Sequence, residues 1–90
     1  LNRLVDGAML SVKYFASLRE QLGCNSDNVE FVAGETLAQL AGRLANKHAG
    51  SLSDIQQPTT RCAVNQQVVE LTVVPVDGDE IAFFPPVTGG

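Results

Sequence analysis

Apolar and polar side chains alternate along residues 9–14 of this chain. Leu10, Val12 and Tyr14 occupy every second position, with polar residues between them. Because successive side chains of a β-strand point to opposite faces, this period of two predicts a strand with one buried face. Phe15, the next residue, falls in step with the polar positions, and we expect it on the exposed face.

A second alternating stretch, residues 80–84, lies near the end of the chain. Ile81 and Phe83 share one face, and Phe84 falls on the other. The two stretches carry the densest apolar patterns, so we expect their strands to pair at the centre of a sheet. That pairing would bring Phe15 and Phe84 together on the face that no helix covers, unless a loop covers one of them. Two exposed aromatic side chains there predict a protein-binding patch.

Helical spacing is strongest after Thr36. Apolar residues recur there at intervals of three and four, as Leu37, Leu40, Ala41, Leu44 and Ala45. This pattern is typical of an amphipathic helix that packs one face on a core. Thr36 and Gln39 have the spacing of a capping box at its start, and Gly50 is predicted to end it.

A shorter helix and another strand are predicted between these elements. Ser17 and Glu20 also have the spacing of a capping box, and Gly23 is placed to end the helix that would follow. Residues 29–32 then favour a strand, which Gly34 interrupts.

Two more turns divide the second half of the chain. Residues 61–64 predict a strand that turns at Asn65 and Gln66 into a further strand at residues 68–69, and Gly78 predicts a turn before the last strand. The order of strand, short helix, strand, long helix and several strands predicts an α+β fold. We expect a mixed sheet with one main helix lying across one face.

The length of 90 residues suits one domain with a modest core. We assign residues 9–90 to this domain. Residues 1–8 are interpreted as an expression remnant or a short N-terminal extension and left out of the fold.

The composition disfavours several classes of partner. A net charge of −4 disfavours nucleic acid or an anionic membrane as the main partner. No apolar run approaches the ~20 residues of a membrane-spanning helix, and no signal peptide opens the sequence, so we expect a cytoplasmic protein.

Thiols and imidazoles are few in this chain. Cys24 and Cys62 lie far apart, and His48 stands near the predicted end of the long helix. We predict that Cys62 is a buried thiol, that Cys24 is an exposed free thiol in a polar loop, and that His48 makes a surface or helix-dipole contact. The pattern predicts no metal site and no catalytic set in the body of the protein.

The last residues are the most distinctive stretch. Pro85 and Pro86 stiffen the exit from the last strand, and Gly89 and Gly90 follow without side chains that would obstruct a narrow passage. The terminal carboxylate of Gly90 is ionised at neutral pH and is a poor electrophile until it is activated. Because the chain has no phosphate-binding loop, activation as an acyl-adenylate would need a partner that uses ATP.

These stretches resemble a known family, the small subunits of molybdopterin synthase. The strongest likeness is in residues 77–90, which read DGDEIAFFPPVTGG. Residues 9–16, which read MLSVKYFA, with Arg19 and Glu20 following, resemble the family's opening strand and helix. Residues 63–66, which read AVNQ, are similar to its strand and turn in mid-chain. The likeness spans residues 9–90.

The resemblance implies a ubiquitin-like β-grasp fold and a sulfur carrier for molybdenum cofactor synthesis. It implies that Gly90 is adenylated by a ubiquitin-activating-like adenylyltransferase that uses ATP, takes up sulfur from a donor protein, and then bears a thiocarboxylate. The loaded tail would enter the large subunit of a heterotetramer, with Thr88 and Gly89 in a channel, and give its sulfur to a cyclic pyranopterin phosphate. The catalytic residues would belong to that large subunit, and the carrier itself would hold no cofactor and no metal.

The resemblance also implies a docking patch for the large subunit, formed by Phe15, Val68 and Phe84. Val68 departs from the leucine-like bulk that is commoner in the family at this place. Three alternatives stay open from the residues: a sulfur carrier for another product such as thiazole, a ubiquitin-like modifier that joins Gly90 to a lysine amine, and a plain binding domain.

Overall fold

The computed structural model describes residues 8–48 and 59–86. Their elements follow in the order β1 (Met9–Tyr14), α1 (Ala16–Leu22), β2 (Ser26–Glu30), α2 (Leu37–Lys47), β3 (Arg61–Val64), β4 (Gln67–Val69) and β5 (Glu80–Phe84). The predicted bounds of the first strand, of β3 and of β5 are confirmed.

The described strands form one mixed sheet in the order β2-β1-β5-β3-β4. β1 and β5 pair in parallel at its centre, with Val12 opposite Ile81 and Tyr14 opposite Phe83. The other neighbouring strands are antiparallel. The central pairing predicted from the two alternating stretches is confirmed, and so is the α+β fold class.

The core lies between one face of this sheet and the apolar stripe of α2. The buried side chains of α2 are Leu37, Leu40, Ala41, Leu44 and Ala45. They pack in one cluster with Leu10, Val12, Tyr14, Leu18, Val29, Cys62, Ile81 and Phe83. Each fully buried large apolar side chain contributes about 1.5–3 kcal/mol relative to an exposed one. Neither helix in residues 8–48 and 59–86 combines the length and apolar character of a membrane span.

The start of α2 is the predicted capping box. The Thr36 hydroxyl oxygen accepts from the Gln39 backbone N–H at 3.1 Å, and the Gln39 side-chain oxygen accepts from the Thr36 N–H at 2.9 Å. The predicted end at Gly50 is wrong, because α2 ends at Lys47. His48 leaves the helical conformation, with φ −106° and ψ 52°, and its ring contacts Asp27 of β2. Gly50 itself lies outside the described residues.

The predicted capping box of α1 is wrong. The N-cap of α1 is Phe15, whose backbone is extended, and no side chain caps this helix end. The Phe15 N–H donates to the Phe83 carbonyl oxygen at 3.1 Å, so the pairing with β5 continues through Phe15 and the chain turns into the helix immediately afterwards. Ser17 therefore lies inside the helix. The predicted end is confirmed, since Gly23 takes the left-handed conformation with φ 75°.

The second strand lies earlier in the chain than residues 29–32. It spans Ser26–Glu30 at one edge of the described sheet, where it pairs with β1 from Lys13 to Met9. Its first residues, Ser26, Asp27 and Asn28, are polar and gave no apolar signal. The predicted hairpin between β3 and β4 is confirmed, with Asn65 and Gln66 both at positive φ, 50° and 72°.

Candidate functional site

The face of the sheet opposite α2 carries two aromatic side chains side by side. Phe15 and Phe84 line one surface pocket of about 290 Å³, together with Lys13, Ala63, Gln66, Glu80 and Ala82. Phe15 is 45% exposed and Phe84 is half-buried. The predicted aromatic patch is therefore present, and none of the described loops covers it.

Local backbone geometry explains why both rings are on this face. Phe84 and Phe83 are neighbours in β5, so their side chains point to opposite sides of the sheet. Phe83 is fully buried in the core, which leaves Phe84 on the open face. Phe15 directly follows Tyr14, the last residue of β1, and continues the register of that strand by one residue. Because the Tyr14 ring is buried in the core, the Phe15 ring lies on the open face.

Val68 lies on the same open face, further along the sheet. It pairs with Ala63 of β3, which pairs in turn with Ala82 of β5. Paired residues of neighbouring strands share a face, so an apolar track leads from the aromatic pocket to Val68. Val68 is 65% exposed and does not line the pocket itself. Phe15, Val68 and Phe84 are called the open-face patch below.

Charged groups border the open-face patch. Lys13 Nζ and Glu80 Oε2 form an ion pair of 2.6 Å across β1 and β5. Both side chains are well exposed, so the pair contributes at most about 1 kcal/mol to stability. An apolar centre with a polar rim is the usual composition of a protein–protein interface.

The C-terminal tail follows the open-face patch directly. Pro85 and Pro86 follow Phe84 directly, and they are the last residues that the structure describes. Thr88, Gly89 and Gly90 lie outside the described residues. The family resemblance implies that Thr88 and Gly89 occupy a channel and that Gly90 carries sulfur. Their roles stay predictions.

A polar cluster that the sequence did not predict lies where the end of α2 meets β2. The structure brings together Cys24 from the loop after α1, Asp27 from β2 and His48 from the C-cap of α2, with one potential ligand atom of each lying within 4.8 Å of the others. Asp27 Oδ2 lies 2.7 Å from His48 Nε2, and His48 Nε2 lies 4.0 Å from Cys24 Sγ. The sequence predicted only a surface or helix-dipole contact for His48, whereas its ring contacts both Asp27 and Cys24.

Asp27 is the centre of this cluster. Lys47 Nζ donates to Asp27 Oδ1, and the Tyr14 hydroxyl donates to Asp27 Oδ2, both at 2.8 Å. Burial pushes the pKa of Asp27 upward, but the hydrogen bonds from Lys47, His48 and Tyr14 outweigh it and hold the pKa below its usual value. Burial also raises the pKa of the Tyr14 hydroxyl, with a further contribution from Asp27.

The two cysteines differ in environment. Cys62 is fully buried as predicted, and burial raises its pKa to about 12, so it is an inert thiol of the core. Cys24 is free but only partly exposed, whereas the sequence predicted an exposed thiol. Its pKa is raised by burial and by the nearby charge of Asp27. The Cys-x-x-Asp spacing was visible in the sequence, but nothing local indicated that the end of α2 would meet it.

Comparison with known proteins adds to this geometry. The model of the ThiS family matches residues 12–90. The chain is 39% identical to the molybdopterin synthase sulfur carrier subunit of Escherichia coli over 84 residues, which cover 91% of this chain and 100% of that protein. It is 37% identical, over 84 residues and the same shares of each chain, to the protein of that name from Haemophilus influenzae.

A solved structure shares the fold. The small archaeal modifier protein 1 of H. volcanii superposes with a TM-score of 0.74 at 27% identity, over 90% of this chain and 100% of that one. The neighbouring structures are ubiquitin-like β-grasp proteins, so the predicted β-grasp fold is confirmed.

Proposed function

We propose that this chain is a sulfur carrier subunit of molybdopterin synthase. The premise is that the chain belongs to the ThiS family. It also matches molybdopterin synthase sulfur carrier subunits over most of its length. One structural observation supports this function best. Phe84, which lines the aromatic pocket with Phe15, is the last residue of β5 and is followed directly by Pro85 and Pro86. The proposed docking surface therefore lies next to the point where the C-terminal tail begins.

The chemistry proposed for the tail uses the terminal carboxylate of Gly90. An oxygen of this carboxylate attacks the α-phosphate of ATP on a ubiquitin-activating-like adenylyltransferase, which forms the acyl-adenylate and releases pyrophosphate. The terminal sulfur of a persulfide on a donor protein then attacks the acyl carbon and displaces AMP, which gives an acyl disulfide between Gly90 and the donor. A thiol reduces this disulfide and releases the thiocarboxylate on Gly90. Sulfur transfer to a cyclic pyranopterin phosphate, with an oxygen supplied by water, returns the tail to the carboxylate.

The partner proposed for the transfer is the large subunit of a molybdopterin synthase. The open-face patch offers it apolar side chains at the centre and the Lys13–Glu80 pair at the rim. Thr88 and Gly89 would occupy a narrow channel in that subunit, because a passage that excludes water protects a thiocarboxylate from hydrolysis. The catalytic residues for transfer would lie on the large subunit.

The proposed function is tested by reconstitution. The purified chain is incubated with a matching adenylyltransferase, ATP and a sulfide source, and its intact mass is measured. The expected product is heavier by the difference between sulfur and oxygen, and it should form molybdopterin once the large subunit and the cyclic pterin are added. A loaded protein that forms no product with that subunit would contradict the assignment to this pathway and leave another sulfur pathway, such as thiazole synthesis.

Protein modification is the second candidate function. The likeness to a small archaeal modifier protein at 27% identity favours it, since both activities begin with an activated terminal glycine. A modifier would form an amide between Gly90 and a lysine amine. Conjugates of higher mass in cells that express the chain would support it, and their absence together with thiocarboxylate formation would support the carrier.

A further inference from the structure

The Cys24–Asp27–His48 cluster lies on elements that the carrier function does not use. Its residues come from the loop after α1, from the edge strand β2 and from the C-terminus of α2. The open-face patch instead consists of Phe15 between β1 and α1, Val68 of β4 and Phe84 of β5. The cluster is half-buried, with 17% of the His48 side chain and 11% of the Asp27 side chain exposed. We propose that Cys24, Asp27 and His48 form a binding site for a divalent transition-metal ion of the zinc type.

The distances between the ligand atoms are close to those of a tetrahedral site. Bond lengths of about 2.3 Å to sulfur and 2.0 Å to nitrogen or oxygen place S and N roughly 3.5 Å apart and N and O roughly 3.3 Å apart. The structure has 4.0 Å between Cys24 Sγ and His48 Nε2, and 2.7 Å between His48 Nε2 and Asp27 Oδ2. These two distances differ from the tetrahedral values by roughly half an ångström. The third pair, Cys24 Sγ and an Asp27 carboxylate oxygen, lies within 4.8 Å, so movements of roughly 1 Å at the side-chain tips would admit the ion.

The set of ligand types selects the class of ion. A thiolate and an imidazole favour zinc and similar borderline metals, while magnesium and calcium favour oxygen ligands. Three protein ligands leave the fourth tetrahedral position to water, as in open zinc sites. Cys24 also lines a surface pocket of about 430 Å³ with Arg19, Glu20, Gly23 and Asn25, which gives the ion a route from solvent.

Outer hydrogen bonds hold Asp27 in place for this role. Lys47 Nζ and the Tyr14 hydroxyl both donate to its carboxylate at 2.8 Å. When the ion binds, His48 Nε2 exchanges its contact with Asp27 for the metal, and the donors from Lys47 and Tyr14 remain. Such second partners orient metal ligands and tune their affinity.

The charges of the cluster are also consistent with a cation. Coordination requires Cys24 as the thiolate, and its proton passes to solvent when the metal binds. The thiolate and the carboxylate would supply two negative charges to a divalent ion, while Lys47 stays bound to Asp27 Oδ1. Binding would also connect the end of α2 to β2 and to the loop after α1, so we expect the melting temperature to rise.

The experiment uses the untagged, reduced full chain. Zn²⁺ is titrated by calorimetry, and Co²⁺ is added as a spectroscopic substitute whose thiolate charge-transfer band reports sulfur coordination. We expect one ion per chain, the charge-transfer band, and a higher melting temperature with Zn²⁺. Cys24→Ser should remove the band although Cys62 is still present, and Cys24→Ser and His48→Gln should each weaken Zn²⁺ binding at least tenfold.

Glu20→Gln is the matched control, because Glu20 is an exposed carboxylate that lines the neighbouring pocket but is outside the cluster. It should bind Zn²⁺ like the unmodified chain. Far-ultraviolet circular dichroism of each metal-free variant establishes that it is folded, and the two ligand variants provide independent tests. Absence of binding by the unmodified chain, or equal binding by the Cys24 and His48 variants, would overturn the proposal.

Discussion

Phe83 and Phe84 are adjacent in β5, yet their rings belong to different parts of the molecule. Phe83 is fully buried under the helices, and its partner across the parallel pairing is the buried Tyr14. Phe84 is half-buried on the open face, where it lines a pocket with Phe15. Neighbouring residues of one strand thus differ in role: the Phe83 ring stabilises the core, and the Phe84 ring is accessible to a partner.

Alanine substitutions at these two positions should have opposite effects. Phe83→Ala removes a ring from the core and should cost about 3–5 kcal/mol of folding stability. Phe84→Ala should lower stability by only about 1 kcal/mol, but it should weaken binding to the large subunit by 2 kcal/mol or more, roughly thirtyfold. Calorimetric binding and thermal melts of both variants test this. The same pattern for both variants would show that the two faces of β5 are assigned wrongly.

Changes at Gly90 should abolish sulfur loading and leave the fold intact. Deleting Gly90, or adding one residue after it, removes or displaces the proposed carboxylate. β5 ends before the tail, so the change in stability should stay within about 0.5 kcal/mol. Intact mass after incubation with the activating enzyme measures loading. Normal loading of the extended variant would be incompatible with Gly90 as the sulfur-bearing residue.

Gly89→Val should prevent sulfur transfer to the pterin while leaving the fold intact. A branched side chain at Gly89 should obstruct a narrow channel in the large subunit without disturbing the domain. We expect a normal melting curve and a loss of molybdopterin formation in the reconstituted assay. Gly89→Ala provides a graded comparison, since its side chain is smaller. Full activity of the valine variant would show that no narrow passage exists.

Thr36→Ala should destabilise the protein by about 1 kcal/mol, because it removes the acceptor for the Gln39 N–H at the start of α2. Ser17→Ala is the matched control. Ser17 stands three residues before Glu20, as Thr36 stands three residues before Gln39. Ser17, however, lies inside α1 and makes no capping bond there. Its replacement should change stability by less than about 0.5 kcal/mol. Urea unfolding of the two variants measures the difference, and equal losses would contradict the assigned helix starts.

Because of Asp27, the free energy of unfolding should decrease as the pH falls through the acidic range. Its pKa is lower in the folded protein than in the unfolded chain, so its contribution is fully present above the unfolded value of about 3.9. That contribution is lost as the pH falls through the folded pKa. Asp27→Asn should remove this part of the pH dependence and cost about 1.5–3 kcal/mol at neutral pH, since Lys47, His48 and Tyr14 lose a charged acceptor. Unfolding curves between neutral and acidic pH compare the two proteins, and parallel curves would contradict the role assigned to Asp27.

The sequence by itself determined the elements whose signal is local. The period of two in β1 and β5, the Thr36–Gln39 capping box and the Asn65–Gln66 turn each depend on residues within a few positions of one another, and all four are present in the structure. The alternation also separated Phe84 from Phe83. The motif of the tail and the resemblance of residues 77–90 identified the family.

Only the tertiary structure decided where distant segments meet. The start of α1 depends on β5, because the Phe15 N–H bonds to the Phe83 carbonyl oxygen across the sheet. The helix then begins at Ala16, before the start that the capping signal at Ser17 predicts. The polar start of β2 became a strand through pairing with β1. Cys24 and Asp27 meet His48 because α2 crosses the sheet and ends beside the edge strand β2. These residues are far apart in the sequence, and side-chain periodicity carries no information over such a separation.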